Sequence, residues 1–305
     1  MWIARAEAPD PFVVVPFLSD VEEVVSVKWG HRSRGRVGDY RVCVGDAGIS
    51  LQGSLAKFHL PSNLYTLTRQ GAEEALEQLS DILHLDIFST ARITRVDIST
   101  VLPTSRPPAD YYRFMGSKPY FKRLQTTPDT LYYTTSKEIL CLYDKKRQAG
   151  AKGAIVPPHL EGHNLMRYEL RYLSRIGKQL NGGAPLYASD IIKEDVYYRL
   201  IQNWGKEFKT IHKLQDMNTL SDTLPTTPKE AKNELFQRLL AEGGVEAIDA
   251  FIADLKARRA FPDPKYYSRL KADLTKTLQG PGKAGESELM KELEVMVDDV
   301  VKYSR

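Results

Sequence analysis

Three short segments carry a carboxylate or a tyrosine among basic residues at strand spacing. In Arg95-Val96-Asp97-Ile98-Ser99 the odd positions are polar and the even ones apolar, so an extended chain places Arg95, Asp97 and Ser99 on one side. Arg167-Tyr168-Glu169-Leu170-Arg171 repeats the arrangement with Glu169 at its centre. A carboxylate in mid-strand is disfavoured and needs a partner, either an arginine or a metal ion. One Asp and one Glu offer hard oxygen ligands that, with water and a substrate phosphate, suit Mg²⁺ or Mn²⁺ better than zinc. The competing arrangement is a pair of cross-strand Arg–carboxylate ladders on an exposed face. In the third segment, Leu140-Cys141-Leu142-Tyr143-Asp144-Lys145-Lys146, alternation puts Cys141, Tyr143 and Lys145 together. A phenol has a reference pKa of about 10, so it attacks a phosphorus centre at neutral pH only if cations stabilise phenolate and the developing charge. Lys145, Lys146 and a divalent ion could do both. The chain holds 16 tyrosines, and packing is the ordinary role of any one of them.

The elements that must position these residues are strands followed by helices. Strand patterns fall at 12–16, 21–29, 40–44 and 49–60, and again at 91–101, 130–135, 139–144 and 165–173. The basic, glycine-bearing link from His31 to Asp39 reads as an exposed hairpin loop. Between Gly71 and Leu83 the period changes, and Ala72, Ala75, Leu76, Leu79, Ile82 and Leu83 make the stripe of a helix packed on a sheet. Beyond Asn181-Gly182-Gly183 the composition turns helical, through 190–214. Thr227-Pro228-Lys229-Glu230 opens a further helix, Gly243-Gly244 ends one, and others follow at 245–260, from Pro264 and from Glu286. The last is expected to be a solvated terminal helix. The fold class is α+β: an antiparallel sheet domain over 1–180 and a helical region over 184–305 that binds DNA or a partner.

Composition narrows the function classes. With 305 residues, 42% hydrophobic and 27% charged, the chain has the balance of a soluble globular protein, not of a disordered or fibrous one. No window approaches the roughly 18 apolar residues of a membrane span, and the N-terminus lacks the layout of a secretory signal, so the expected location is the cytoplasm. Two cysteines, Cys43 and Cys141, are too few for a disulfide scaffold or a four-thiolate zinc site. The net charge is only +4, yet residues 101–178 hold 14 Lys and Arg against 6 Asp and Glu. Such a concentrated segment suits a phosphate backbone, because each cation placed there releases condensed counterions; a solvated basic face is the alternative.

The ordered set of an Arg-hydrophobic-Asp strand, a strand ending in Tyr143-Asp144-Lys145, and an Arg-aromatic-Glu strand resembles the replication initiators of the filamentous-phage gene II type and the related plasmid rolling-circle initiators. Gly53-Ser54-Leu55-Ala56-Lys57-Phe58 followed by Asn63-Leu64 also resembles a block of those families, and the likeness spans roughly residues 50–178. It implies a nicking enzyme of a phage or plasmid in which Tyr143, with Lys145 beside it, attacks the origin phosphodiester, leaving 5'-phosphotyrosine and a 3'-OH primer, and later rejoins the strand. It implies that Asp97 and Glu169 hold Mg²⁺ or Mn²⁺, with His59 the candidate third ligand. The His-hydrophobic-His pair of many such nickases is absent; His159 and His163 are spaced differently. Single-stranded or supercoiled origin DNA is the expected partner, with host helicase or polymerase beyond it and no membrane. Lys57, Lys118, Lys122, Arg123, Lys146, Arg167 and Arg171 are the expected DNA contacts, with Tyr111, Tyr112, Tyr120 and Phe121 as stacking faces. A non-catalytic DNA-binding regulator with the same fold is the main alternative. An RNA-binding sheet protein is disfavoured, since the glycine-aromatic signature of RNA-recognition sheets is missing.

Overall fold

The computed structural model describes residues 2–6, 10–26, 30–46, 48–151, 153, 156–214, 236, 244–245, 247–279 and 287–304. Its centre is a ten-stranded antiparallel sheet in the order β2-β3-β4-β5-β1-β6-β10-β9-β8-β7. The strands are β1 Trp2–Ala6, β2 Ser19–Ser26, β3 Gly30–Val37, β4 Tyr40–Gly45 and β5 Gly48–Gln52, then β6 Arg92–Thr104, β7 Lys122–Thr127, β8 Thr130–Thr134, β9 Glu138–Asp144 and β10 Asn164–Tyr172.

The order reads the same from both edges. Each half has a first strand, a short helix, and a four-strand meander whose last strand returns beside the first: β1 with β2–β5, and β6 with β7–β10. The short helices are a 3-10 turn at Pro11–Phe17 and, after α1 (Leu55–His59), α2 (Arg69–Leu83) and α3 (Ile87–Thr90), the helix α4 (Pro108–Tyr112). β1 and β6 pair antiparallel and join the halves. Their register jumps so that Trp2 opposes Arg95 while Ile3 opposes Ile93. The extra residue, Thr94, is a β-bulge that lets both Ile93 and Val96 point to the buried side of one strand.

One face of the sheet is covered by helices and the other carries the polar residues. The expected stripe on α2 holds except at Ile82, which is exposed: Ala72, Ala75, Leu76, Leu79 and Leu83 are buried in one cluster with Tyr40, Val42, Val44, Ile49 and Leu51. Thr68 caps that helix by accepting from the Gly71 amide at 3.0 Å. Under the second half lies α8 (Glu194–Lys209), which follows α5 (Lys145–Gly150), α6 (Ile176–Leu180) and α7 (Ala188–Ile191). Its Trp204 ring sits 4.7 Å from that of Tyr168, and the Tyr168 hydroxyl donates to the Trp204 carbonyl at 3.0 Å.

The same core cluster runs from Val14 to Val297, so helices of the 184–305 region pack on the sheet itself. The C-terminal helix, α10 (Glu288–Tyr303), is docked and not merely solvated, contrary to expectation. Met290, Leu293 and Val297 are buried, and Glu292 accepts from the Tyr111 hydroxyl at 2.6 Å and the Ser105 hydroxyl at 2.7 Å. Gly205 of α8 allows the approach, since a Cβ there would lie 2.5 Å from Val301. A second, smaller cluster joins Leu214, Val245, Ile248, Ile252 and Tyr267 to α9 (Pro264–Gln279). The helix start at Thr227 lies outside the described residues, as does Gly243.

Three local expectations are corrected. Residues 12–16 form a 3-10 helix, because Asp10 accepts from the Phe12 amide and Pro11 presets the first turn. The strand expected over 49–60 stops at Gln52, where Ser54 caps α1. The link from His31 to Asp39 is mostly strand β3, paired on both sides with β2 and β4. Among the described residues, no helix is long and apolar enough to cross a membrane.

Candidate active site

Register brings the three segments together on the open face. Ser99 of β6 opposes Glu169 of β10, which opposes Cys141 of β9. One step along, Val101 opposes Arg167, which opposes Tyr143; one step back, Asp97 opposes Arg171. Glu169 is the hub. Its Oε1 accepts from the Tyr143 hydroxyl at 2.8 Å and from Arg167 Nε at 2.9 Å, and its Oε2 accepts from Arg171 at 2.8 and 2.5 Å. Burial works to raise the Glu169 pKa, but Arg167 and Arg171 outweigh it and hold the carboxyl below its ordinary range. Burial first, and the Glu169 charge second, raise the Tyr143 pKa, so the phenol stays protonated and donates.

The arginines are themselves fixed. Arg167 is buried, donates to Ser99 Oγ at 2.5 Å and also bonds the Asn63 carbonyl. Lys145, expected beside the tyrosine oxygen, starts α5 as a buried residue and bonds Asn63 Oδ1 at 2.9 Å and Gln148 Oε1 at 2.8 Å. Asn63 therefore ties the strand bearing Glu169 to the helix that follows Tyr143. Its place in the sequence block after Phe58 was the signal; its role as a post was not visible there. A cavity of about 370 Å³ opens over this group, lined by Tyr132, Cys141, Tyr143, Asp144, Arg147 and Arg171. A second, of about 190 Å³, reaches Asp97, Ser99 and Arg167 from the other side. Cys141 is a buried thiol, its pKa pushed up to about 12 by burial, and is no nucleophile.

The donor set does not form a cage for a divalent cation. Both oxygens of Asp97 accept from Arg95, at 2.7 and 2.8 Å, and both oxygens of Glu169 are taken as above. Arg95, Arg167 and Arg171 outnumber the two carboxylates, so the frame favours an anion. His59 stands apart in α1, 3.3 Å from Glu74. Among the described residues, no three His, Cys, Asp or Glu side chains come together as ligands. Arg–carboxylate pairing is what the sheet carries, but it runs along each strand, Arg95 with Asp97 on β6 and Arg167 and Arg171 with Glu169 on β10, instead of across strands, and it is partly buried instead of exposed.

A family model, that of the N-terminal domain of the phage gene II replication-associated protein, matches residues 39–207, more than half the chain. The chain belongs to this family. No curated protein matches it. The chain is thus a phage-type replication-associated protein, and the matched span takes in β4–β10 together with most of α8.

Within this gene II-type domain the expected DNA contacts divide. Lys57, Lys122 and Lys146 are exposed, and Arg171 lines the tyrosine cavity. Lys118 is not available: it is 4% exposed, paired with Glu207 at 2.6 Å and lying over the Phe121 ring. Arg123 points to the helix side, bonding the carbonyls of Met115 and Tyr112 at 2.9 and 3.0 Å. Tyr111 and Tyr112 are core residues, whereas Tyr120 is fully exposed.

Proposed function

We propose that this protein nicks origin DNA through Tyr143 and holds the 5' end covalently. The observation that carries the reading is the Tyr143 hydroxyl donating to Glu169 at 2.8 Å inside a frame of two arginines, at the mouth of a cavity. A scissile phosphate entering that cavity meets Arg171 and the frame's excess positive charge, which binds the ground state and neutralises the charge that grows on the phosphoryl oxygens. Phosphate contact draws guanidinium charge away from Glu169 and leaves the carboxylate a better acceptor for the phenol proton. The phenol oxygen then forms its bond to phosphorus as its proton passes to Glu169. The bond from phosphorus to O3' breaks, and O3' takes a proton from water to become the free primer end, while Glu169 returns the phenol proton to solvent. Energy is kept in the phosphotyrosine, so a 3'-OH rejoins the strand by the reverse displacement.

The Mg²⁺ or Mn²⁺ expected from the family resemblance enters no step here, because both carboxylates are committed to arginine. The test is an SDS-resistant adduct assay with labelled oligonucleotides tiling the neighbouring genome, run with Mg²⁺, with Mn²⁺ and with EDTA. We expect an adduct from the wild type and none from Tyr143→Phe. An adduct that survives EDTA supports the arginine frame alone. An adduct that requires the cation returns Asp97 and Glu169 to the role of ligands once phosphate has drawn off their arginines. Binding on every tile without any adduct would replace this reading by the non-catalytic regulator.

A further inference from the structure

The two halves of the sheet share one topology, and their registers can be laid on each other strand by strand. In the second half Tyr132, Cys141 and Glu169 stand in one cross-strand row; in the first half Arg34, Cys43 and Ser50 do. One residue pair further, Thr130, Tyr143 and Arg167 correspond to Arg32, Gly45 and Gly48. The first half thus has glycine where the candidate nucleophile stands and serine where its acceptor stands. What it has instead is arginine. Arg32, Arg34 and Arg36 alternate on β3, and Arg36 opposes Arg41 of β4.

These side chains lie on the open face. Along their strands they alternate with buried Ser33, Gly35, Val37, Tyr40 and Val42, while Arg34 and Arg41 are exposed and Arg36 is half-buried. Among the described residues, none of Arg34, Arg36 and Arg41 has an ion-pair partner; Glu22 opposes Arg34 in register without pairing to it. Same-face residues on one strand recur about every 6.6 Å, and neighbouring strands add a parallel file about 4.8 Å away. The register row through Arg36, Arg41, Gln52 and Trp2 ends on Arg95, which holds Asp97. The arginine field is therefore continuous with the tyrosine frame on one face of one sheet.

We propose that the open face of β3 and β4 is a second DNA site, which grips the phosphate backbone of duplex DNA flanking the nick. The proposal rests on the nicking reading for its place in the reaction but not for its test. Duplex is the form that fits, because the side chains that β3, β4 and β5 present on this face, Arg32, Arg34, Arg36, Arg41, Cys43, Ser50 and Gln52, contain no ring on which an unstacked base could lie. Guanidinium contacts to phosphate position a duplex without reading its sequence. Solvated arginines outside internal ion pairs suit that task, since each phosphate contact releases counterions while no buried pair is broken.

The test measures binding of a labelled random-sequence duplex, by fluorescence anisotropy across a NaCl series, in the full chain. Wild type is compared with the triple variant Arg34→Ala/Arg36→Ala/Arg41→Ala and with the matching triple lysine variant. Three lost phosphate contacts should lower the slope of log K against log salt by about 2.7. The lysine triple should keep most of the slope, which separates charge from folding. Adduct formation on a short single-stranded oligonucleotide should stay within about twofold of wild type in both, because no group of the tyrosine frame is touched. An unchanged slope in the alanine triple, a lysine triple as impaired as the alanine one, or an equal loss on a single-stranded probe would overturn the proposal. Absence of any adduct in the wild type, with the slope change present, would instead overturn the nicking reading and leave this surface standing.

Discussion

The half-sheet β1–β5 and the half-sheet β6–β10 have one topology and opposite chemical states. In the second, the arginines of the open-face frame are spoken for: Arg95 by Asp97, and Arg167 and Arg171 by Glu169. In the first, Arg34, Arg36 and Arg41 face solvent beside glycine and serine. Commitment is what a reacting group needs, because a tyrosine held at 2.8 Å from its acceptor has already met the ordering cost of the attack. Freedom is what a backbone grip needs, because a guanidinium in an internal pair weakens that pair when it turns charge and donors toward a phosphate, whereas a solvated one gives up only water and counterions. One fold therefore supplies both functions by changing only which side chains the alternating face presents.

The sharpest way to break this contrast is at Glu169. Glu169→Gln removes the charge that accepts the phenol proton, and adduct formation in single-turnover assays should fall about 10²- to 10⁴-fold. It also leaves two arginines without their carboxylate, one of them buried, so stability should drop by about 3–5 kcal/mol in urea unfolding at neutral pH. The acid limb gives the sign. Glu169 has a folded-state pKa below its ordinary 4.5, so its contribution is fully present above the unfolded value and is lost as pH falls through the folded one. The stability gap between wild type and Glu169→Gln should therefore narrow as pH falls below the ordinary 4.5. A gap that stays the same size as the pH is lowered would show that the loss is one of packing, not of charge.

Next in size is the support beneath each half. Trp204→Ala opens the core under Tyr168 and should cost about 3–5 kcal/mol, whereas Leu79→Ala under β4 and β5 should cost about 2–5 kcal/mol. Because one core cluster spans both halves, each variant should unfold in a single transition that abolishes adduct formation and duplex binding together. Two separate transitions by circular dichroism would show that the halves are independent units.

How much of this was legible depended on where each residue's partner lies. Arg95, Asp97 and Ser99, and again Arg167, Glu169 and Arg171, fell on one face by strict alternation, and nothing in the fold disturbed that. The β3 arginines were read as a loop because Arg32-Ser33-Arg34-Gly35-Arg36 has almost no strand propensity of its own. Pairing with β2 and β4 makes it a strand, and pairing is a long-range fact. Lys118 looked like a DNA contact since its acid, Glu207, lies 89 residues away. The docking of α10 through Glu292 to Tyr111 spans 181 residues. The likeness of the two halves leaves no repeat in the chain, because alternation and register, not residue identity, maintain it.

The smallest predicted effect compares one tyrosine from the buried face of each half. Tyr133 of β8 is fully buried and its hydroxyl donates to the Gly116 carbonyl at 2.7 Å. Tyr40 of β4 is equally buried, its ring stacked edge-on to Phe58 and pressed against Gly53, where a Cβ would lie 2.6 Å away. Among the described residues its hydroxyl has no hydrogen-bond partner. A buried hydroxyl that has left water without a new acceptor costs free energy that a phenyl ring does not. Tyr133→Phe should therefore destabilise by about 1 kcal/mol, as a made bond is lost, while Tyr40→Phe should be neutral or stabilise by up to about 1 kcal/mol. Urea midpoints measured side by side check both signs. If Tyr40→Phe lost as much as Tyr133→Phe, the Tyr40 hydroxyl would have to be bonded in solution, and the first half's core would be as fully satisfied as the second's.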